Sequence, residues 1–207
     1  MIVRPESPVP TSSCTASELA ERLRHGEAAL FPTDTLPALA TRPESATLLW
    51  ELKQRPREKP VILMAASSEE LFHCLGGALE PAWRQMAERH WPGALTLVLP
   101  AQGPWLEQLN PGGTTLGLRV PDCTAAIELL QLSGPLATTS ANRSGEPACL
   151  NHRDAAERFP DVAQLGPVPW PAPSGLGSTV IAWQNNGTWK LLRQGAVMPE
   201  ELTAGAG

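Results

Sequence analysis

The sequence predicts a single-domain α/β protein, and three observations support this. Helical and strand-like apolar patterns alternate along the 207 residues, as they do in a sheet flanked by helices. Hydrophobic residues make up 42% of the chain and charged residues 18%, which is enough apolar surface for a core. The 22 prolines divide the chain into short segments. The length suits one domain over residues 1–207, with its core expected within about 17–197 and loose termini.

The first half of the chain predicts helices and strands in turn. A helix over residues 17–24 would be N-capped by Ser17 and ended by Gly26, and a strand would follow at 28–31. Leucines at helical spacing predict a helix at 45–54, which must end before Pro56. The remaining segments are a buried apolar strand at 60–65 and helices at 68–75 and 81–90.

The second half continues the alternation and ends in an antiparallel pair. Short strands are predicted at 94–99, 116–120 and 136–139, with helices at 124–132 and 151–159. The proline-rich stretch 167–173 is typical of an extended surface linker. Asn185-Asn186-Gly187 then separates strands at 179–183 and 188–192, and this composition favours a tight hairpin.

Cations are concentrated in one short segment. The chain has only three lysines, and Lys53 and Lys59 both lie in LKQRPREKP (52–60), together with Arg55 and Arg57. Where a helix end meets a proline turn, such side chains can converge on a polyphosphate or a carboxylate. The same residues could instead complement the dipole at a helix C-terminus.

Polar residues follow several predicted strands. TTSANRSG (138–145) places Ser140 and Asn142 at a strand end, where α/β proteins bind ligands. Thr35 in PTDT (32–35) and Ser178 in GST (177–179) occupy similar positions. Small hydroxyls and backbone N–H groups there could bind an anion, although an ordinary turn has the same composition.

Two arginines, Arg119 and Arg193, lie within apolar strands. A buried guanidinium without an anion is costly, so each requires a partner. That partner could be a ligand or an internal Asp or Glu, unless the side chain extends to the surface from an edge strand.

Several classes of protein are disfavoured. The chain has no Walker A motif, no GxGxxG, no GxSxG, and no cysteine spacing typical of zinc sites or a disulfide framework. The net charge of −5 and pI near 5.4 argue against a general nucleic-acid coat. We see neither a membrane-length apolar run nor a secretory leader, so we expect a cytoplasmic protein with no membrane association.

Together these segments resemble the YrdC-like family of threonylcarbamoyl-adenylate synthases, in its short single-domain form. The KxR…SxN signature of that family is matched by Lys53, Arg55, Ser140 and Asn142. The resemblance continues in family order through LFPTDT, ELKQRPREKPVIL, HWPGALTLVLP, LGLRVPD, TTSANRSGEP, GSTV and LLRQGA. It implies a twisted mixed parallel and antiparallel sheet, helices on both faces, and a concave basic ligand cavity.

The resemblance also implies a nucleotidyltransferase that makes threonylcarbamoyl-AMP and pyrophosphate from L-threonine, bicarbonate and ATP. Mg²⁺ would accompany ATP without a dedicated protein site, and the product would pass to the tRNA threonylcarbamoyl transferase machinery, with weak tRNA contact at most. The implied catalytic residues are Lys53 and Arg55. The implied ATP-binding residues are Arg55, Lys59, Thr115, Asn142 and Arg193. The implied threonine-binding residues are Thr35, Arg119, Ser140 and Ser178.

Two alternatives lack synthase activity. A YrdC-like domain could bind RNA or a ribosomal particle, or it could sense a nucleotide. The acidic pI weighs against the first alternative. One departure from the family pattern is Pro37, which stands beside Thr35 where the family usually has an aromatic residue and which would stiffen that loop.

Overall fold

A ten-stranded mixed sheet forms the centre of the computed structural model, which describes residues 13–203. The strands are β1 (Ser13–Cys14), β2 (Ala29–Phe31), β3 (Ala38–Thr41), β4 (Ile62–Met64), β5 (Leu95–Pro100), β6 (Thr115–Arg119), β7 (Leu136–Ser140), β8 (Ala163–Leu165), β9 (Thr179–Trp183) and β10 (Trp189–Arg193). Their order across the sheet is β1-β8-β2-β3-β7-β4-β6-β5-β9-β10. The sheet contains parallel pairs such as β4 with β6 and antiparallel pairs such as β5 with β6, which confirms the mixed α/β sheet.

Helices cover both faces of this sheet. They are α1 (Ala16–Arg24), α2 (Thr47–Lys53), α3 (Ser68–His73), α4 (Pro81–His90), α5 (Pro104–Leu109), α6 (Thr124–Ser133), α7 (His152–Arg158) and α8 (Glu200–Thr203), with a 3₁₀ turn at Pro43–Ser45. None of the helices in residues 13–203 is long and apolar enough to cross a membrane.

Two apolar layers lie on opposite faces of the sheet. On one face, α2, α3, α4 and α7 pack against strand residues such as Leu63, Leu97 and Leu118. On the other face, α1 and α6 pack against β2, β3, β7 and β8. This smaller helical layer leaves the neighbouring part of the face open, and a cavity lined by residues of β3, β4, β6, β7 and β9 lies there.

The start of α1 differs from the prediction. Thr15, not Ser17, is the N-cap: Thr15 Oγ1 accepts a hydrogen bond from Glu18 N at 3.3 Å, and Thr15 N donates to Glu18 Oε2 at 2.9 Å. This reciprocal pair is a capping box, in which the third helical residue bonds back to the cap. Gly26, with φ of +84°, follows the helix end as predicted.

The sequence patterns missed β1, β3, β8, α5 and α8. These elements are short, and β3 consists of Ala38, Leu39, Ala40 and Thr41, which show no apolar and polar alternation because all four are buried. The linker at 167–173 is largely exposed, as predicted, except at Trp170. The Trp170 ring is buried, and its Nε1 donates to the carbonyl of Leu165 at 2.7 Å, which holds the segment against β8. The predicted loose termini lie largely outside the described residues.

Candidate functional site

One cavity lies over the centre of the sheet and is lined by residues from distant parts of the chain. It encloses about 250 Å³, close to the lower limit of about 300 Å³ for small-ligand pockets. Six of the ten predicted site residues line it: Thr35, Arg55, Arg119, Ser140, Ser178 and Arg193. Its apolar lining includes Pro37, Ile62, Met64 and Val180. The sequence therefore identified most of the polar wall.

Arg119, at the end of β6, is the most enclosed cation of the cavity. Its side chain is 3% exposed, and its Nη2 donates to Asp34 Oδ1 at 2.6 Å. Its Nη1 donates to Thr35 Oγ1 at 2.7 Å, and its Nε donates to the carbonyl of Gly93 at 2.9 Å. Burial lowers the pKa of Arg119, whereas the charge and hydrogen bond of Asp34 raise it. The required anionic partner is therefore internal, and it fixes the plane of the guanidinium.

The loop that carries Asp34 and Thr35 is itself held by hydroxyl bonds. Thr33 Oγ1 donates to the carbonyl of Leu36 at 2.7 Å and lies 3.1 Å from Thr35 Oγ1. Thr33 is 4% exposed and Thr35 is 2% exposed. The PTDT segment therefore supplies a rigid wall in which the Thr35 hydroxyl meets Arg119 at the cavity.

Arg55 reaches the cavity because α2 ends abruptly. Gln54 adopts a left-handed conformation with φ of +50°, which turns the chain out of the helix. Arg55 Nη2 then donates to the carbonyl of Pro60 at 3.0 Å, and its Nε donates to that of Lys59 at 3.3 Å. Burial lowers the pKa of Arg55. Within residues 13–203, no carboxylate forms an ion pair with it, so its charge is available to an anion.

Lys53 lies behind the cavity wall, not on it. Its side chain is 1% exposed, and its Nζ donates to the carbonyls of Ser140 (2.6 Å) and Asn142 (2.5 Å) and to Asn142 Oδ1 (3.0 Å). Burial, with a smaller contribution from Arg55, lowers the pKa of Lys53 to about 8. All three ammonium protons are directed at the 140–142 loop. Lys53 therefore joins α2 to that loop, and its contact with a phosphate stays a prediction.

Asn142 also acts within the loop. Its Oδ1 accepts from Ser140 Oγ at 2.6 Å as well as from Lys53. Its Nδ2 donates to the carbonyls of Arg143 (2.8 Å) and Glu146 (2.9 Å). The KxR…SxN residues thus divide into two groups: Arg55 and Ser140 line the cavity, while Lys53 and Asn142 shape its wall.

Arg193, on β10, borders the cavity from the opposite side. Its Nη2 donates to the carbonyl of Ser178 at 2.8 Å and lies 3.4 Å from Ser178 Oγ. A Cβ added to Gly177 would lie 3.2 Å from Arg193 Nη2, so glycine lets the guanidinium lie close to the backbone. No acidic side chain forms an ion pair with Arg193 in the described part of the chain.

Besides Asn142, two predicted ATP-binding residues lie outside the cavity lining. Lys59 is exposed, next to the lining residue Pro60, and Thr115 is partly buried at the far end of the strand that carries Arg119. Sequence reasoning assigned no role to Asp34 or Thr96. Thr96 lines the cavity floor, and its Oγ1 lies 2.7 Å from Ser178 Oγ. The signal for Asp34 was present, because a guanidinium in an apolar strand requires a carboxylate.

The charges of the site favour an anionic ligand. Three guanidinium groups, from Arg55, Arg119 and Arg193, face one cavity, and Asp34 neutralises only one of them. Arginine bonds carboxylates and phosphates through paired N–H groups. Among the described residues, no group of three or more His, Cys, Asp or Glu side chains could hold a metal ion. The arrangement therefore suits an anionic ligand bound by guanidinium and hydroxyl groups.

Comparison with known proteins identifies the family. A family model for Sua5, YciO and YrdC, described as telomere recombination, matches residues 21–195. The chain belongs to this family. A relative from Bacillus subtilis named threonylcarbamoyl-AMP synthase is 33% identical over 205 residues, which cover 94% of this chain and 57% of the relative. Its namesake from Klebsiella pneumoniae is 35% identical over 144 residues, which cover 67% of this chain and 76% of the relative.

Solved structures of the family share the fold. Sua5 from Pyrococcus abyssi, in complex with L-threonine, superposes with a TM-score of 0.83 at 30% identity, over 93% of this chain and 57% of that one. YciO from Escherichia coli superposes with a TM-score of 0.78 at 23% identity, over 93% and 95%, and this likeness concerns the fold alone. The chain spans 57% of the Bacillus subtilis relative and 41% of a Pyrococcus abyssi relative.

Proposed function

We propose that the protein is a threonylcarbamoyl-AMP synthase, which converts L-threonine, bicarbonate and ATP into threonylcarbamoyl-AMP and pyrophosphate. The observation that carries this proposal is the convergence of Arg55, Arg119 and Arg193 on one cavity, with hydroxyls from Thr35, Ser140 and Ser178. ATP and bicarbonate are anionic at neutral pH, and threonine carries a carboxylate. The names of family relatives from several organisms support the same activity.

The amino acid would bind at the Arg119 side of the cavity. A guanidinium has five N–H groups, and Arg119 uses three of them on Asp34, Thr35 and Gly93. The two that remain can donate to the threonine carboxylate. The hydroxyls of Ser140 and Ser178 also line the cavity; the Ser140 proton is donated to Asn142 Oδ1, so Ser140 Oγ can accept from the threonine ammonium or hydroxyl, while Ser178 can donate to the carboxylate.

The triphosphate would bind between Arg55 and Arg193. Neither guanidinium has a carboxylate partner in residues 13–203, so each can neutralise phosphate oxygens. Exposed Lys59 lies next to this region and can reach toward the outer phosphates. The cavity encloses about 250 Å³, so we expect the adenosine to extend beyond its rim. Thr115 and Asn142 stay predicted contacts of the nucleotide.

The reaction would proceed in two steps. The threonine amine forms a bond to the carbon of bicarbonate, and water leaves, which gives a carbamate. A carbamate oxygen then attacks the α-phosphorus of ATP, the bond from that phosphorus to the bridging oxygen breaks, and pyrophosphate leaves in line. Arg55 and Arg193 would stabilise the charge that develops on the phosphates, while Arg119 holds the amino acid in place.

Lys53 would serve this reaction through the 140–142 loop. Its three bonds hold Ser140 at the wall, so we assign it a positioning role in place of the predicted catalytic contact.

Mg²⁺ would enter with ATP as part of the substrate complex, bound by phosphate oxygens and water. The product would be handed to the tRNA threonylcarbamoyl transferase machinery, which implies a cytoplasmic location and at most weak tRNA contact.

Pyrophosphate release tests the proposal. We expect the purified protein with ATP, bicarbonate and Mg²⁺ to release pyrophosphate only when L-threonine is present. Arg55→Ala should lower the rate more than about tenfold, because a cation acting on developing charge is worth several kcal/mol. Arg57→Ala, which removes an exposed cation of the same loop outside the cavity lining, is the matched control and should retain the wild-type rate.

Three results would contradict the proposal or its site. No release under conditions where a related synthase is active would remove the proposed function. Equal rates for Arg55→Ala and wild type would remove Arg55 from the catalytic site. RNA binding with a steep salt dependence and no nucleotide turnover would instead support the RNA-binding alternative.

A further inference from the structure

Thr96 is a buried polar residue at the cavity floor to which the proposed reaction gives no role. Its neighbours on β5, Leu95 and Leu97, are fully buried in the apolar layer on the opposite face of the sheet. Side chains alternate along a strand, so Thr96 faces the cavity. Thr96 is 1% exposed. Valine would fill the same space without burying a hydroxyl.

The Thr96 hydroxyl makes one close polar contact. Its Oγ1 lies 2.7 Å from Ser178 Oγ. Ser178 is also buried, with 5% of its surface exposed. No other hydrogen bond of Thr96 Oγ1 is formed within residues 13–203. Ser178 Oγ has a second neighbour, because Arg193 Nη2 lies 3.4 Å away. Ser178 therefore joins the cavity floor to the arginine at the rim.

The chemistry of these groups determines which hydroxyl donates. A guanidinium only donates, so Ser178 Oγ accepts from Arg193. If Ser178 donated to Thr96, the Thr96 proton would be buried without an acceptor, which is unfavourable. If Thr96 donates to Ser178, both lone pairs of Ser178 Oγ are used and its own proton is free. The second arrangement leaves no proton of the floor residue Thr96 unpaired, and the one proton without a protein acceptor is that of Ser178, which lines the cavity where a ligand can accept it.

We propose that Thr96 is a positioning residue: by donating to Ser178 Oγ, it holds the Ser178 proton toward the cavity, where Ser178 donates to an oxygen of the amino-acid carboxylate. This inference rests on the proposed function, because it takes threonine as the ligand beside Ser178. Because Ser178 Oγ accepts from Thr96 and Arg193, it can only donate to the ligand. The ligand atom beside Ser178 should therefore be an anionic oxygen and not a cationic amine.

Calorimetric titration of L-threonine into the full chain tests this role without requiring turnover. Thr96→Val should raise the Kd for threonine about tenfold, as expected when a hydrogen bond to a charged group is weakened. Thr96→Ser keeps the hydroxyl and should restore binding to near the wild-type value. Thr41→Val is the matched control, because it removes another buried strand hydroxyl that lies outside the cavity lining, and it should leave the Kd unchanged.

Each outcome supports or overturns the inference. Wild-type binding by Thr96→Val, or equally weak binding by Thr96→Ser, would show that the hydroxyl does not orient Ser178. In a Ser178→Ala background, Thr96→Val should cause no further loss, and additive losses would also contradict the inference. If Thr96→Val does not fold, Thr96→Cys, a weaker donor, should bind threonine less tightly than Thr96→Ser.

The test also separates this inference from the proposed function. If the wild-type protein binds threonine but releases no pyrophosphate, the synthase proposal fails and the comparison of Thr96 variants still stands. If the wild-type protein binds no threonine, both fail. If synthesis proceeds and all Thr96 variants match the wild type, the inference alone fails.

Discussion

Replacing Asp34 by asparagine removes the counterion of the most enclosed cation in the cavity. In the wild-type protein, Arg119 Nη2 lies 2.6 Å from Asp34 Oδ1, and the two side chains are 3% and 18% exposed. Asparagine has nearly the same shape and keeps one oxygen acceptor. The substitution therefore isolates the loss of the negative charge and leaves Arg119 charged in a buried site.

The contacts of Arg119 limit how far Asp34→Asn can lower the free energy of unfolding. Removing one partner of a buried ion pair costs about 3–5 kcal/mol, because the other charge stays buried without compensation. Here Arg119 keeps its bonds to Thr35 and Gly93, and Asp34 is partly solvated. We therefore expect the free energy of unfolding to fall by about 3 kcal/mol, at the lower end of that range.

Denaturant unfolding followed by tryptophan fluorescence measures this change. Asp122→Asn is the control, because Asp122 is exposed and its bond to Asp34 comes from its backbone N, at 3.1 Å. That variant should unfold at the wild-type midpoint. An unchanged midpoint for Asp34→Asn would refute the argument that Arg119 depends on Asp34 for its charge balance.

Two further substitutions test other buried polar groups. Thr41 is fully buried on β3 and its hydroxyl has no partner in the described residues, so Thr41→Val should raise the free energy of unfolding by about 1 kcal/mol; a lower value would show that the hydroxyl is bonded. Lys53 has a pKa of about 8 in the folded chain against an ordinary value of 10.5, so the folded state releases this proton first as pH rises. Between about pH 8 and pH 10.5, the free energy of unfolding of the wild type should therefore rise with pH relative to that of Lys53→Met. The unfolding equilibrium constant should fall by at most about tenfold per pH unit. Parallel pH profiles for the two proteins would contradict this.

The sequence predicted the alternating architecture and most of the cavity wall because both depend on local chemistry. Apolar periodicity locates buried strands, and a guanidinium in an apolar strand requires an anion, which is why Arg119 was identified. The identity of its partner depends on the fold, since Asp34 lies 85 positions away. The all-buried strand β3 was missed because it lacks the alternation of a half-exposed strand and takes its position from pairing with β2 and β7.

The direction of a side chain at a helix end could not be predicted from the sequence. Lys53 and Arg55 are two positions apart in one cationic segment, and both were expected at the phosphates. The left-handed turn at Gln54 separates them, so that Arg55 lines the cavity and Lys53 points to the 140–142 loop. Composition shows that cations are concentrated there, but only the backbone path determines which of them reach the ligand.

Incorporation of labelled bicarbonate tests the central claim most directly. The protein would be incubated with ATP, L-threonine, Mg²⁺ and ¹³C-bicarbonate, and the nucleotides analysed at once by mass spectrometry. We predict a threonine-dependent adenylate that carries one ¹³C atom in its carbamoyl group and forms more than about tenfold more slowly in Arg55→Ala. Absence of this labelled adenylate in the wild-type reaction, while a related synthase forms it under the same conditions, would contradict the assignment of this cavity to threonylcarbamoyl-AMP synthesis.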